Sequence, residues 1–313
     1  MARSRKRKGE PVHGWLALDK PIDMTSTQAV GLCKRLLNAQ KAGHGGTLDP
    51  LASGILPIAF GEATKTSQWA MDAQKEYLFT IEWGTSTDTQ DREGEVTARS
   101  AARPAREAVA SALDAFVGEI EQVPPRFSAI KVKGERAYDL AREGEDFELQ
   151  GRPVTVYSAE VTDMPDGDHT TIHVVSGKGF YVRALARDLA FDVGCEGHIR
   201  TLRRTRVGEF TLDEAITPQA LEAMETPQAR QAALLTLETA LEDVPPVELA
   251  AGDAPAIRQG RTVKLLPHAM ENWRADRRSA REDRLALAMD DAGAVALGEV
   301  RAGQFRPTRV FQT

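Results

Sequence analysis

Cysteine is scarce. The two in 313 residues, Cys33 and Cys195, stand far apart and outside any CxxC pair, which excludes a disulfide framework and a structural zinc site. A reduced, cytoplasmic compartment is the matching expectation. No segment reaches the roughly 18 consecutive apolar residues of a membrane span. Cationic excess is missing as well: 40 Lys and Arg face 46 Asp and Glu, a net charge of −6. Nucleic-acid binding would therefore need a local basic surface, not a whole-chain field. The sequence has no HExxH, no GxSxG and no Gly-Lys-Ser/Thr ending to a glycine loop, so no metal and no nucleotide cofactor is expected. With 42% apolar and 27% charged residues the chain is not a disordered one.

The pattern of what is there predicts an α+β fold with a mixed, largely antiparallel sheet flanked by helices. Trp15–Lys20 reads as a strand closed by Pro21. Thr25 or Ser26 caps a helix to about Leu37, with Val30, Cys33 and Leu37 on one face. Gly43–Gly61, with five glycines and two prolines, reads as a shaped loop beside the apolar segment Ile55–Phe60. Tyr77–Trp83 alternates as a strand, and Phe127–Val132, Val154–Met164, Thr170–Ser176 and Ile199–Val207 follow it. Helices are predicted over Pro104–Val117, Phe180–Val193 and Leu221–Leu241, the last interrupted at Pro227. Val244-Pro245-Pro246 reads as a linker. Beyond it Leu285–Met289, Val295–Val300 and Phe305–Phe311 predict a small β domain with a hairpin turn at Asp290–Gly293 and a charged loop near Glu271–Arg284. The expected domains are a basic disordered tail at 1–10 (Arg3, Arg5, Lys6, Arg7 and Lys8, with no signal-peptide apolar core), a main domain at 11–245 and a small β-rich domain at 246–313.

Three clusters can carry chemistry. The first is Gly43-His44-Gly45-Gly46-Thr47-Leu48-Asp49-Pro50, where glycines allow close approach of a ligand and Asp49 is held extended before proline. Asp49 is either a turn carboxylate satisfied by its own backbone or a reactive one; His44 alone reads as a loop residue. The second is Lys178–Arg183, at the start of a helix. A cation there opposes the macrodipole by roughly 0.3–1 kcal/mol, which points to an anion nearby or to a merely solvated side chain. The third is the stretch Lys178–Gly208, with seven basic residues against three acidic ones. It is either an electrostatic funnel for a polyanion, with Lys34, Arg35 and Lys41, or a charge-protected strand edge.

Taken together these segments resemble the bacterial TruB family, the tRNA pseudouridine-55 synthases. The resemblance spans Asp19-Lys20-Pro21 with Thr25-Ser26, Gly43–Gly54, Lys75-Glu76-Tyr77, Gly84–Thr89, Asp91–Val96, Pro124–Arg142, Gly179–Leu189 and Leu202-Arg203-Arg204. It implies an isomerase that detaches uracil from ribose, rotates it and rejoins it through C5 in the T loop of tRNA, without a cofactor. Asp49 falls on the catalytic aspartate, Arg183 on its partner, Tyr181 on an active-site position and Tyr77 on the residue that stacks on the base. His44 falls beside the flipped nucleotide and Leu202 on an apolar wall. Lys20, Arg200, Arg203 and Arg204 are the expected RNA-binding patch, and 246–313 resembles the family's RNA-binding PUA domain. The implied partner is the tRNA T arm, bound by a monomer with no guide RNA and no membrane. The guide-dependent dyskerin enzymes are the neighbouring alternative; the insertion at Pro124–Gly151 and the lack of long basic tails favour the stand-alone form. Three residues depart from the family pattern: Asp23 for glycine, Phe180 for threonine and Ala190 for glycine. With no ligand cluster of metal type, turnover should survive exhaustive EDTA treatment, measured on tRNA shown to remain folded; loss of activity would contradict the metal-free chemistry.

Overall fold

The computed structural model describes residues 9–128, 130–132, 134–276 and 284–312. The basic stretch at 3–8 and part of the charged loop near Glu271–Arg284 lie outside the described residues; the start of that loop is the end of a helix, Pro267–Ala275.

Among the described residues the main sheet has nine strands. Seven run in the order Gly14–Lys20, Ser53–Phe60, Gly197–Val207, Lys75–Trp83, His169–Ser176, Arg152–Asp163 and Gly118–Gln122; Ala42–His44 and Phe210–Thr211 are added at the sides. Every pairing is antiparallel except one. Gly197–Val207 runs parallel to Ser53–Phe60, with Arg203 opposite Ser53 and Arg204 opposite Gly54. The sheet is thus mixed and largely antiparallel.

Local chemistry sets the elements. Thr25 opens the helix Ser26–Leu36 with a capping box: Gln28 N–H donates to Thr25 Oγ1 (3.1 Å), and Thr25 N–H to Gln28 Oε1 (2.8 Å). Lys34 and Arg35 in its last turn suit the negative end of the dipole. Tyr77, Phe79, Ile81 and Trp83 alternate into the core while Leu78 is exposed. Against that apolar face pack Ala29 and Cys33, Val109 and Leu113 of the helix Arg106–Asp114, and Leu185 and Leu189 of the helix Val182–Asp192.

Several expectations are corrected. Gly43–Gly61 is largely paired strand, Ala42–His44 and Ser53–Phe60, with the free loop confined to the residues between them. Phe127–Val132 contributes only the two-residue strand Lys131–Val132. Leu221–Leu241 is broken into the short helices Pro218–Ala223 and Pro227–Gln231 and a 3₁₀ turn at Leu237–Leu241.

A second, five-stranded sheet comprises Pro246–Glu248, Leu285–Asp290, Gly293–Arg301, Gln304–Val310 and Val263–Lys264. The hairpin turns where the sequence put it: Asp290 pairs with Gly293 (φ 124°), and Asp290 Oδ1 accepts from Ala292 N–H at 2.9 Å. The segment before this sheet is no free linker, because Val244 and Pro245 are buried. Trp15 and Phe210, with ring centroids 5.2 Å apart, form one apolar cluster with Val244, Leu287, Leu297 and Phe311. Polar ties seal its edge: Lys65 Nζ donates to Val310 O (2.7 Å), and Gln312 N–H to Glu62 Oε2 (2.7 Å). Phe311→Ala should therefore cost about 3–5 kcal/mol, read by urea denaturation as a shift of one transition that carries both sheets. An early transition confined to the smaller sheet would show that the cluster does not couple them.

Candidate active site

The loop that carries Asp49 is clamped from several sides. Ser26 Oγ accepts from Leu48 N–H and donates to Leu48 O, both at 2.9 Å. Asp23 N–H donates to Pro50 O at 2.9 Å, and Ala52 N–H to Asp49 O at 3.1 Å. Asp23 sits at φ 62°, a left-handed turn that glycine fits freely and that aspartate is among the few other residues to tolerate. That explains how the chain replaces the expected glycine without loss of the turn.

Arg183 meets this loop from the helix Val182–Asp192. Its Nη2 lies 2.8 Å from Asp49 Oδ2, and its Nη1 lies 3.6 Å from Asp91 Oδ2. The same guanidinium donates to Thr89 O (3.0 Å) and Phe127 O (2.9 Å). Arg183 and Asp91 are buried, with side chains 7% and 4% exposed, whereas Asp49 at 35% still reaches the cleft. The cation that opposes its helix dipole is thus compensated by two carboxylates and two carbonyls. Asp91 is itself fixed: Oδ1 accepts from Thr89 Oγ1 (2.7 Å) and Glu93 N–H (3.0 Å).

Tyr181, the residue before the helix, is held through its backbone. Buried Gln122 accepts from Tyr181 N–H at 2.8 Å and donates to Tyr181 O at 3.2 Å. Burial, and then the Asp49 carboxylate, push its phenol above the ordinary range; burial does the same to Tyr77. Both phenols are therefore neutral at pH 7. Asp49, Arg183, Tyr77, Tyr181 and Leu202 line one cleft of about 360 Å³, together with Lys75, Phe180 and Arg204. Strand register places two of the walls: Leu202 lies opposite Phe79, and Arg204 opposite Tyr77.

His44 is not among the residues lining the cleft. It ends the strand Ala42–His44, and its Nδ1 accepts from Gly46 N–H at 3.4 Å. Burial, helped by the Arg204 cation, lowers its pKa.

The basic residues divide: Lys75, Arg183 and Arg204 line the cleft, and the others lie apart from it. Lys20 is fully buried and its ammonium donates to Pro21 O and Met24 O, both at 2.8 Å, and to Pro50 O at 3.4 Å. Burial pulls its pKa down to about 8. Arg204 is 2% exposed. Both spend their donors on backbone carbonyls inside the protein and are not part of an exposed patch. Arg200 and Arg203 reach solvent, but Arg203 shares the face of exposed Leu78, opposite to Tyr77, and pairs with Asp19 at 2.8 Å. Arg200 pairs with Glu82 at 3.2 Å, Arg206 with Glu76 at 2.7 Å and Lys178 with Asp72 at 3.3 Å. Alternation along a strand and local ion pairs divide the strip into separate contacts.

Sequence reasoning missed Asp91 and Gln122. Asp91 lies in a segment quoted for the resemblance but was given no role there; its burial beside Arg183 gives it one.

Comparison with known proteins identifies the family. Residues 34–182 match the TruB family pseudouridylate synthase N-terminal domain, and residues 183–242 match the tRNA pseudouridylate synthase B C-terminal domain. The tRNA pseudouridine synthase B of Caulobacter vibrioides is 53% identical, and that of Rhodospirillum rubrum 44%, with 98–99% of each chain covered. A chain from an H/ACA RNP bound to a substrate RNA containing 2′-deoxyuridine shares the fold, with a TM-score of 0.71 at 23% identity, covering 100% of this chain and 92% of that one. With its matched domains, full-length relatives and a cleft built around an arginine-bound aspartate, the chain belongs to the TruB family of pseudouridylate synthases.

Proposed function

We propose that this protein isomerises uridine 55 in the T loop of tRNA, acting in the cytoplasm as a monomer on the T arm, without guide RNA, metal or cofactor. The observation that carries the reading is the Asp49–Arg183 pair at 2.8 Å in a cleft walled by Tyr77 and Tyr181. The 44–53% identity to enzymes named for tRNA supports the substrate, as does the much lower 23% identity to the H/ACA chain for the stand-alone form.

In the reaction the N1–C1′ bond breaks, uracil turns so that C5 faces C1′, and a C5–C1′ bond forms. The C5 proton leaves and N1 takes one up, so the isomerisation is redox-neutral and releases no group. A uridine inside a folded T loop is out of reach of a carboxylate in a cleft. It must be flipped out, at a cost of a few kcal/mol, and stacking on Tyr77 returns about 1–3 kcal/mol. Asp49 is the nucleophile and Arg183 holds it with a planar, charge-assisted contact. Tyr181 and Leu202 shape the pocket, and His44 supports the loop from behind. The exposed Arg200 and Arg203 serve RNA contacts outside the cleft. In residues 246–313, a PUA-like module, exposed Lys264, Arg301 and Arg306 offer further phosphate contacts.

Incubation with an unmodified tRNA transcript, followed by mapping of pseudouridine, tests the reading directly. Asp49→Asn is nearly isosteric and should abolish conversion while tRNA Kd stays within about tenfold, roughly 1.4 kcal/mol. Substantial turnover by that variant would sink the assignment. Arg183→Lys keeps the charge and loses the fork; its single-turnover rate at saturating enzyme should fall about tenfold or more, roughly 1.4 kcal/mol of barrier. An unchanged rate would leave Arg183 as a structural ion only.

A further inference from the structure

One buried cation in the cleft wall takes no part in the chemistry above. Arg204 is 2% exposed. Its Nε donates to Ile55 O at 2.8 Å, Nη1 to Thr47 O at 3.2 Å and Nη2 to Gly46 O at 3.2 Å. Tyr77 is the residue opposite it in the neighbouring strand, and the two side chains line the same cleft. None of these partners is a carboxylate. On its other side Arg204 lies opposite Gly54 in the parallel pairing, where a Cβ would stand 2.1 Å from Arg204 O and φ is +103°. Only glycine lets the two strands close to this distance, and that closeness puts the guanidinium under the loop.

Burying a charge without an opposite charge is costly, and an apolar side chain of similar volume would fill the space more cheaply. What such a side chain lacks is a rigid planar fork of donors. The partners chosen by that fork are the two carbonyls leading into Asp49 and the Ile55 carbonyl of the adjoining strand.

We propose that Arg204 is a positioning residue for the isomerisation: it ties the Gly46–Thr47 backbone to the strand paired with the one that carries Tyr77 and so sets the spacing between the Asp49 carboxylate and the ring that receives uracil. This rests on the roles given above to Asp49 and Tyr77.

The test uses the full chain and an unmodified tRNA transcript. Arg204→Lys and Arg204→Gln are compared with Asp49→Asn and with Leu113→Ala, a core cavity away from the cleft. Melting by circular dichroism fixes a temperature at which each variant is folded, and single-turnover rate and tRNA Kd are measured there. Arg204→Lys should slow conversion by about a hundredfold. Arg204→Gln, with planar donors but no charge, should fall between it and the unmodified chain. For both, Kd should stay within about threefold and the salt dependence of binding unchanged, since no phosphate contact is lost. Leu113→Ala should convert at the full rate. A folded Arg204→Lys that converts at the full rate, or whose loss is confined to Kd, overturns the proposal. Failure of both Arg204 variants to fold also overturns it, by making the residue purely structural. If Asp49→Asn still makes pseudouridine, the assignment of the site has failed, and the role of Arg204 falls with it.

Discussion

A guanidinium buried between two carboxylates is the constraint around which the cleft is built. Burying the Arg183 charge is costly unless opposite charge and acceptors meet it, so its surroundings must converge on it. Asp49 comes from the loop before Ser53–Phe60, and Asp91 and Thr89 O from the segment after Lys75–Trp83. Phe127 O comes from the segment after Gly118–Gln122. Removing any one leaves the others facing an undercompensated charge, which makes the arrangement cooperative.

Below this level a different device holds the loops. Lys20 and Arg204 carry their charges into the protein and spend their donors on backbone carbonyls at Pro21, Met24, Pro50, Gly46, Thr47 and Ile55. Loops rarely satisfy their own carbonyls. A buried ammonium or guanidinium serves several at once, from a strand that is itself rigid.

Much of this was legible beforehand, and the failures have identifiable causes. Alternation revealed the strand carrying Tyr77, and helical spacing revealed Val182–Asp192, because both bury one face only. Ser53–Phe60 was hidden by Gly54 and Pro57 and by being buried on both sides, which leaves no alternation to read. The odd cation at a helix start did point to an anion, since the dipole argument needs only local sequence. The basic strip misled because a count of charges carries no direction: Arg203 and Arg204 are adjacent in the chain and face opposite sides of the sheet. Asp91 was invisible as a partner because only the fold brings it to Arg183.

The parallel pairing has a consequence for how the chain comes off the ribosome. Arg204 and its acceptor Ile55 are 149 residues apart, a gap that takes roughly 7–30 s to synthesise at about 5–20 residues per second. Gly14–Lys20 can pair with one edge of Ser53–Phe60 almost at once, and Ala42–His44 with Ile58–Phe60 on the other, but the Ser53–Gly54 end of that second edge stays open until Gly197–Val207 emerges. A chain arrested before residue 197 would already hold the carboxylate, the arginine and both tyrosines, with no central strand to bring them to one place.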